Sequence, residues 1–151
     1  MTRSVVALTL LMLLTIPPEA EGVALDGDVT GLLADLFEKG GYGQLPTERA
    51  AFLRVTDSGS IECLLWPRGA RFQRATFRGV IPRGVIAVAH THPNRERLPS
   101  HGDHSLANRL GLPVLVITRD GVTVARPGEP EPARLISELP LLRDGKRCTG
   151  E

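Results

Sequence analysis

Two histidines, His90 and His92, stand two residues apart directly after the aliphatic run from Val85 to Ala89. A continuous run of β-branched and aliphatic residues is typical of a buried central strand. Because side chains alternate between the two faces of a strand, residues two apart point to the same side. We therefore expect both imidazoles to offer nitrogen donors to one point at the end of this strand.

Asp103 is the candidate third donor, because it falls in the first turn of a helix that the sequence predicts from His101 to Leu110. Two histidines and one carboxylate with an open fourth position form the ligand pattern of a catalytic zinc site. A zinc ion lowers the pKa of its bound water to about 7, and a nearby carboxylate can then take the proton. The pattern therefore predicts one zinc per chain, held by His90, His92 and Asp103.

The segment from Ser100 to Asp103 also has a purely structural interpretation. Ser100 followed three residues later by an acidic residue is typical of a capping box at a helix start. The capping interpretation and the metal interpretation are compatible, since one carboxylate offers two oxygens.

The motif His90-Thr91-His92-Pro93, followed after six residues by Ser100 and after two more by Asp103, resembles the signature of the JAB/MPN (JAMM) metalloproteases. The resemblance covers roughly residues 28 to 126, and its specificity lies in this short motif. It implies an α/β fold, the cytidine-deaminase-like α-β-α sandwich with a mixed sheet. It also implies hydrolysis of a peptide or isopeptide bond by a metal-activated water.

The resemblance further implies roles for Glu48 and Ser100. In the family an upstream glutamate activates the water, and Glu48 lies 42 residues before His90. Ser100 would donate a hydrogen bond to the tetrahedral intermediate, which is an oxyanion-stabilising role. Glu62, on an alternating strand, is the rival base. The family pattern gives His101 and His104 no role, although both lie beside the expected ligands.

The N-terminus carries a candidate export signal. Arg3 is followed by an apolar run of 12 residues, Val5 to Ile16, and then by Pro17-Pro18. A membrane-spanning helix needs about 20 residues, so the run favours a signal peptide, assigned to residues 1–24, over a span. A buried N-terminal helix is the structural alternative. We expect an exported protein, periplasmic or secreted, with no stable membrane span after processing.

Two cysteines, Cys63 and Cys148, make up the whole cysteine content. In an exported chain this number is compatible with one disulfide. The alternative is a buried thiol at Cys63, which shares a strand face with Ile61 and Leu65, and a free thiol in a loose tail at Cys148. The sequence leaves both possibilities open.

The pattern of the remaining residues predicts one domain over 25–130 and a C-terminal helix with a polar tail over 131–151. Apolar residues at helical spacing predict a first helix that Asp28 caps and Gly40-Gly41 ends. Period-two or continuous apolar runs predict strands at 49–56, 60–66, 71–78, 85–89, 114–118 and 122–126. Two hairpins are predicted, because a glycine-containing turn separates the strands 49–56 and 60–66 and another separates the strands 114–118 and 122–126.

Composition narrows the class of partner. The chain has 151 residues and a formal net charge of +1, with cations scattered among acidic residues. This distribution gives no electrostatic surface for nucleic acid. The expected partner is a peptide or isopeptide substrate, and the oligomeric state is left open. The alternative function is a non-catalytic MPN-type binding or scaffold module, against which the intact ligand set argues.

The export interpretation makes a direct prediction about the mature chain. Signal peptidase should remove the apolar run, so the protein recovered from its native host should begin between about Glu19 and Asp28. N-terminal sequencing measures this. A cytoplasmic product that still begins at Met1 or Thr2 would contradict the interpretation.

Overall fold

The computed structural model describes residues 27–68, 75–94, 96–139 and 145–150. The predicted signal peptide and its cleavage site lie outside these residues. In the described part the chain forms two α-helices and a six-stranded mixed sheet. The elements are α1 (Gly27–Lys39), β1 (Ala50–Val55), β2 (Ile61–Leu65), β3 (Val85–Thr91), α2 (His101–Leu110), β4 (Val114–Thr118), β5 (Gly121–Ala125) and β6 (Ala133–Ile136).

The strand order in the sheet is β2-β1-β3-β4-β5-β6. β3 and β4 are parallel, and every other neighbouring pair is antiparallel. The parallel pair requires a crossover connection, and α2 supplies it. The two predicted hairpins, β1 with β2 and β4 with β5, are confirmed, and so is the mixed α/β class of the fold.

One face of the sheet packs against α1. The apolar stripe of this helix lies against odd-numbered side chains of β1 and β3 and against side chains of the neighbouring strands, and nearly all of these residues are fully buried. The helix residues are Val29, Leu32, Leu33, Leu36 and Phe37, which is the spacing that predicted the helix. Asp28 lies inside the first turn instead of preceding it as a cap, because the helix begins at Gly27.

The other face packs against α2. Even-numbered residues of β1 and β3 and the first residue of β4 form a second apolar cluster with Ala107, and Leu106 and Leu110 pack against it. With one helix on each face, the described chain has three layers in the order helix, sheet, helix. α2 ends at Gly111, whose left-handed conformation (φ 65°) suits the helix C-terminus.

One predicted element is wrong, and the described part of another forms no strand. The short helix expected around Leu135, Ile136 and Leu139 is absent, since residues 133–136 form strand β6 on the edge of β5. Pairing with the open edge of β5 satisfies the backbone hydrogen-bonding groups of this segment. The weak helical spacing of its apolar residues does not outweigh that gain. Of the expected strand at 71–78, residues 71–74 lie outside the described residues, and residues 75–78 form no strand. Phe77 lies over Phe52 and Trp66. Residues 75–78 alternate between half-buried and exposed because this segment lies over the sheet.

The C-terminal segment 145–150 is attached to the edge of the sheet and to α1. Cys63 and Cys148 form a disulfide, which decides between the two possibilities left open for these residues. Thr149 bridges β2 through backbone hydrogen bonds to Cys63 and Leu65. On α1, the fully buried Asp35 accepts hydrogen bonds from the Cys148 backbone and the Arg147 guanidinium, each at 2.8 Å.

None of the helices in residues 27–68, 75–94, 96–139 and 145–150 has the length and apolar character needed to cross a membrane.

The disulfide predicts a specific stability loss. It joins residues 85 positions apart, and a crosslink over a loop of this length restricts the unfolded chain by on the order of 4 kcal/mol. The double variant Cys63→Ser with Cys148→Ser should therefore unfold at a clearly lower urea concentration than the wild type. Wild-type protein in excess reductant is the control and should match the variant. Equal midpoints for oxidised and reduced wild type would contradict the prediction.

Candidate metal centre

The end of β3 lies between β1 and β4. Ala50 of β1 and Val116 of β4 are the residues paired with His90. The strand runs through His90 to Thr91, two residues beyond the end of the aliphatic run at Ala89, and His92 follows it directly. Both histidines are buried, and their ring centroids are 4.9 Å apart. The structure therefore brings the two imidazoles together as their spacing predicts.

Asp103 completes the group from the first turn of α2. Its Oδ1 lies 3.1 Å from His90 Nε2, and its Oδ2 lies 3.5 Å from His92 Nε2. The ligand atoms of the three residues all lie within 4.8 Å of one another, and all three residues are buried. Two ligands held about 2.1 Å from one tetrahedral zinc are about 3.4 Å apart. The donor spacing thus fits a small divalent cation, and a metal cofactor is compatible with the site.

Hydrogen bonds fix the orientation of these ligands. The Ser100 backbone N–H and hydroxyl donate to Asp103 Oδ2 at 2.6 and 2.7 Å, and the Asp103 N–H donates back to the hydroxyl at 3.3 Å. This confirms the capping box. His92 Nδ1 lies 3.2 Å from the Glu96 carbonyl oxygen. A carbonyl only accepts, so Nδ1 carries the proton and Nε2 is left as the metal-binding nitrogen.

The electrostatics of the group couple its members. Burial alone would raise the pKa of Asp103, but hydrogen bonds from His90 and His92, the charge on His90, and the Ser100 bond hold that pKa far below its usual range. Burial would lower the pKa of His92, yet the hydrogen bond and charge of Asp103 outweigh it and raise the pKa. Asp103 is therefore ionised over the ordinary pH range, as a metal ligand must be.

Glu48 reaches the site from the chain just before β1. The β1–β3 register pairs Ala50 with His90, and the pairing continues as Thr91 N–H donates to the Arg49 carbonyl at 2.9 Å. Extending this register brings Glu48 opposite His92 on the same face. Its Oε2 accepts a hydrogen bond from the Ala75 N–H at 3.2 Å, and it is half-buried. Burial raises its pKa, although the charge on His90 acts against the shift.

Glu62, the rival base, lies elsewhere. Its carboxylate pairs with the Arg54 side chain on the neighbouring strand, and it does not line the cavity at the histidines. Among the described residues a second possible ligand group, Glu48 with His92 and Glu96, shares His92 and includes the exposed Glu96. The group formed with Asp103 has the better ligands, since all three of its members are buried and hydrogen bonds orient Asp103 and His92.

Sequence reasoning missed several partners of the site. The Glu96 carbonyl and the Ala75 N–H act through the backbone, so no residue type marks them. The cavity beside the donors, lined by aromatic residues from three separate segments, was also missed. The Ser100 hydroxyl has one hydrogen, which it gives to Asp103. An oxyanion role would require Ser100 to exchange that hydrogen bond for one to the substrate.

No protein-family model, curated protein or solved structure matches this chain. The JAB/MPN resemblance stays a prediction from the motif residues.

The geometry predicts that the mature protein binds about one zinc. His92→Ala and Asp103→Ala should each abolish tight binding, because each removes one of three donors. At a zinc concentration of 100 times the dissociation constant, the wild type should gain about 2.7 kcal/mol in its free energy of unfolding. Elemental analysis and thermal unfolding measure these effects.

His101→Ala is the matched control for these variants, since His101 is exposed and outside the donor group. It should keep wild-type zinc content. The metal-site interpretation fails if wild-type protein purified without chelator contains no zinc and gains no stability from added zinc.

Proposed function

We propose that this chain is a zinc-dependent metallopeptidase of the JAB/MPN type, which hydrolyses a peptide or isopeptide amide bond. One observation carries the proposal: Glu48, which is not needed as a ligand, lines the same cavity as the buried donors His90 and Asp103. A hydrolytic site needs a metal to activate water and a separate group to take the proton. The described residues offer donors for the metal and a separate carboxyl in one cavity.

The choice of zinc rests on the donor set. Two imidazoles and one carboxylate suit zinc, whereas Mg²⁺ and Ca²⁺ prefer oxygen ligands. The same donor set also holds iron in oxygenases. Glu48 favours hydrolysis, because a half-buried carboxyl outside the group His90, His92 and Asp103 can take the proton of the water. Burial raises the pKa of Glu48, and the positive charge of a bound dication would act in the opposite direction.

The roles of the chain's own residues follow from their positions. His90, His92 and Asp103 would hold the metal, which when bound supplies polarisation of the scissile carbonyl and acidification of water. Glu48 takes the proton of the attacking water and passes it to the leaving amine, so no net proton is gained or lost by the carboxyl. The Ala75 N–H holds one oxygen of Glu48 and leaves the other for this transfer. Ser100 keeps Asp103 oriented.

Export is part of the proposal. The apolar N-terminal run supports a signal peptide, and the Cys63–Cys148 disulfide suits an oxidising compartment such as the periplasm or the extracellular space. A non-catalytic MPN-type scaffold remains the alternative function. Such a module has no need for three buried ligand groups close to one another, so the presence of all three donors favours the enzyme.

The role of Glu48 can be separated from its contribution to shape. Glu48→Gln preserves side-chain size but removes the proton acceptor, so turnover should fall on the order of a hundredfold to ten-thousandfold while zinc content is unchanged. Glu62→Gln is the matched control and should leave turnover near the wild-type value. Screening the zinc-loaded protein on a peptide library provides the substrate. A fully active Glu48→Gln enzyme would refute the assignment.

A further inference from the structure

A cavity of about 410 Å³ extends from the metal donors into the apolar layer under α2. Glu48, His90, Ser100 and Asp103 line its polar end. Mostly apolar side chains line the rest, with Arg109 and Thr76 as the polar exceptions; the larger apolar ones are Phe52, Trp66, Phe77, Val88, Leu106 and Leu110. This volume lies within the range of roughly 300–1,000 Å³ that is typical of small-molecule sites. The cavity is therefore larger than a site that receives only a water and an amide bond would need.

The cavity exists because the even-numbered face of the sheet is incompletely covered. α2 packs over β4 and β5, at some distance from β1. The segment from Ala75 to Ile81 covers β1 from the other side without pairing to it. Between α2 and this segment, the small side chains of Ala50 and Ala75 leave the space next to His90 open. The odd-numbered face, by contrast, is filled by α1.

The aromatic wall gives the cavity a definite chemical preference. Phe52 contacts both Trp66 and Phe77, with ring centroids 5.1 and 4.8 Å apart, and Trp66 lies 5.4 Å from Phe77. Three rings in mutual contact hold each other in place, so the wall is preorganised. An apolar wall attracts water weakly and gains free energy when a hydrocarbon group covers it. A charged substituent packed against these three rings would lose its hydration, and outside the donor group only Arg109 among the lining residues offers a cation to an acidic substituent.

We infer that this cavity is a specificity subsite that receives a bulky apolar side chain flanking the scissile amide. The substrate class is then a peptide or isopeptide with a leucine-like or phenylalanine-like residue at this position, in preference to glycine. This inference rests on the proposed function, because it assumes that the amide bond is presented to His90, His92 and Asp103. The subsite would select which amides are cleaved by recognising a substrate side chain outside the scissile bond.

Binding of small hydroxamates tests the subsite without a known substrate. Glycine hydroxamate and leucine hydroxamate carry the same metal-binding group and differ in one isobutyl group. The zinc-loaded wild type should bind leucine hydroxamate about tenfold or more tightly than glycine hydroxamate, because the isobutyl group becomes buried. Trp66 is the single tryptophan of the chain and lines the cavity, so its fluorescence should change with leucine hydroxamate. Isothermal titration calorimetry gives the two dissociation constants.

Variants locate the effect in the cavity. Leu106→Ala should reduce the preference for leucine hydroxamate several-fold, because it removes part of the apolar wall. Leu135→Ala is the matched control: Leu135 is also half-buried, but it packs against the opposite core and should keep the wild-type ratio. Phe77→Ala provides a second test and should lower the ratio in the same way. Equal ratios in all four proteins would overturn the inference.

The outcomes separate this inference from the proposed function. If glycine hydroxamate binds to the zinc-loaded protein and leucine hydroxamate binds no better, the metal site stands and the subsite is refuted. If the protein binds no zinc, the proposed function fails, and the cavity is tested on metal-free protein with N-acetylleucinamide and N-acetylglycinamide. A Trp66 fluorescence response to N-acetylleucinamide at several-fold lower concentration would support an apolar subsite. Equal responses to the two amides would overturn it.

Discussion

The antiparallel register between β1 and β3 is the constraint on which the candidate site depends. It pairs Ala50 with His90 and carries Glu48 to the level of His92 on the same face of the sheet. Because side chains alternate, a slip of one residue would turn Glu48 to the α1 face. The register is held by burial on that face, where Ala51, Leu53, Ala87 and Ala89 all contact the α1 core. Packing on one side of the sheet thus sets the chemistry on the other.

The crossover connection from β3 to β4 is a second constraint, because it positions Asp103, the third candidate ligand. A parallel pair needs a long connection, and here its helix begins beside the end of β3. Asp103 then has two functions in one turn: it accepts from the Ser100 backbone as part of the capping box, and it faces both histidines. The positive end of the helix dipole favours a carboxylate at this position. Helix capping and ligand orientation therefore reinforce each other.

Much of this arrangement is local and could be predicted from the sequence. The stripe of α1, the two hairpins and the His90–His92 spacing each follow from the periodicity of a few neighbouring residues. Apart from the position of Asp28 at the start of α1, the failures are non-local. β6 forms because β5 offers an open edge, and the segment at 75–78 is positioned by contacts with Phe52 and Trp66. The sequence allowed the disulfide but could not decide it, because the partner cysteines are 85 positions apart.

The two faces of the sheet differ in role: the α1 face contributes most to stability, and the α2 face carries the candidate site. On the α1 face, fully buried aliphatic residues, the disulfide and the ion pair of Asp35 with Arg147 of the C-terminal segment hold the layers together. On the α2 face, a cavity and a buried polar group reduce the apolar contact that the sheet could otherwise make. Buried ionisable groups and incomplete packing both cost stability, so a small domain can carry them only where the rest of its core compensates. The crosslinked α1 face provides that compensation, so the space beside His90 can stay open.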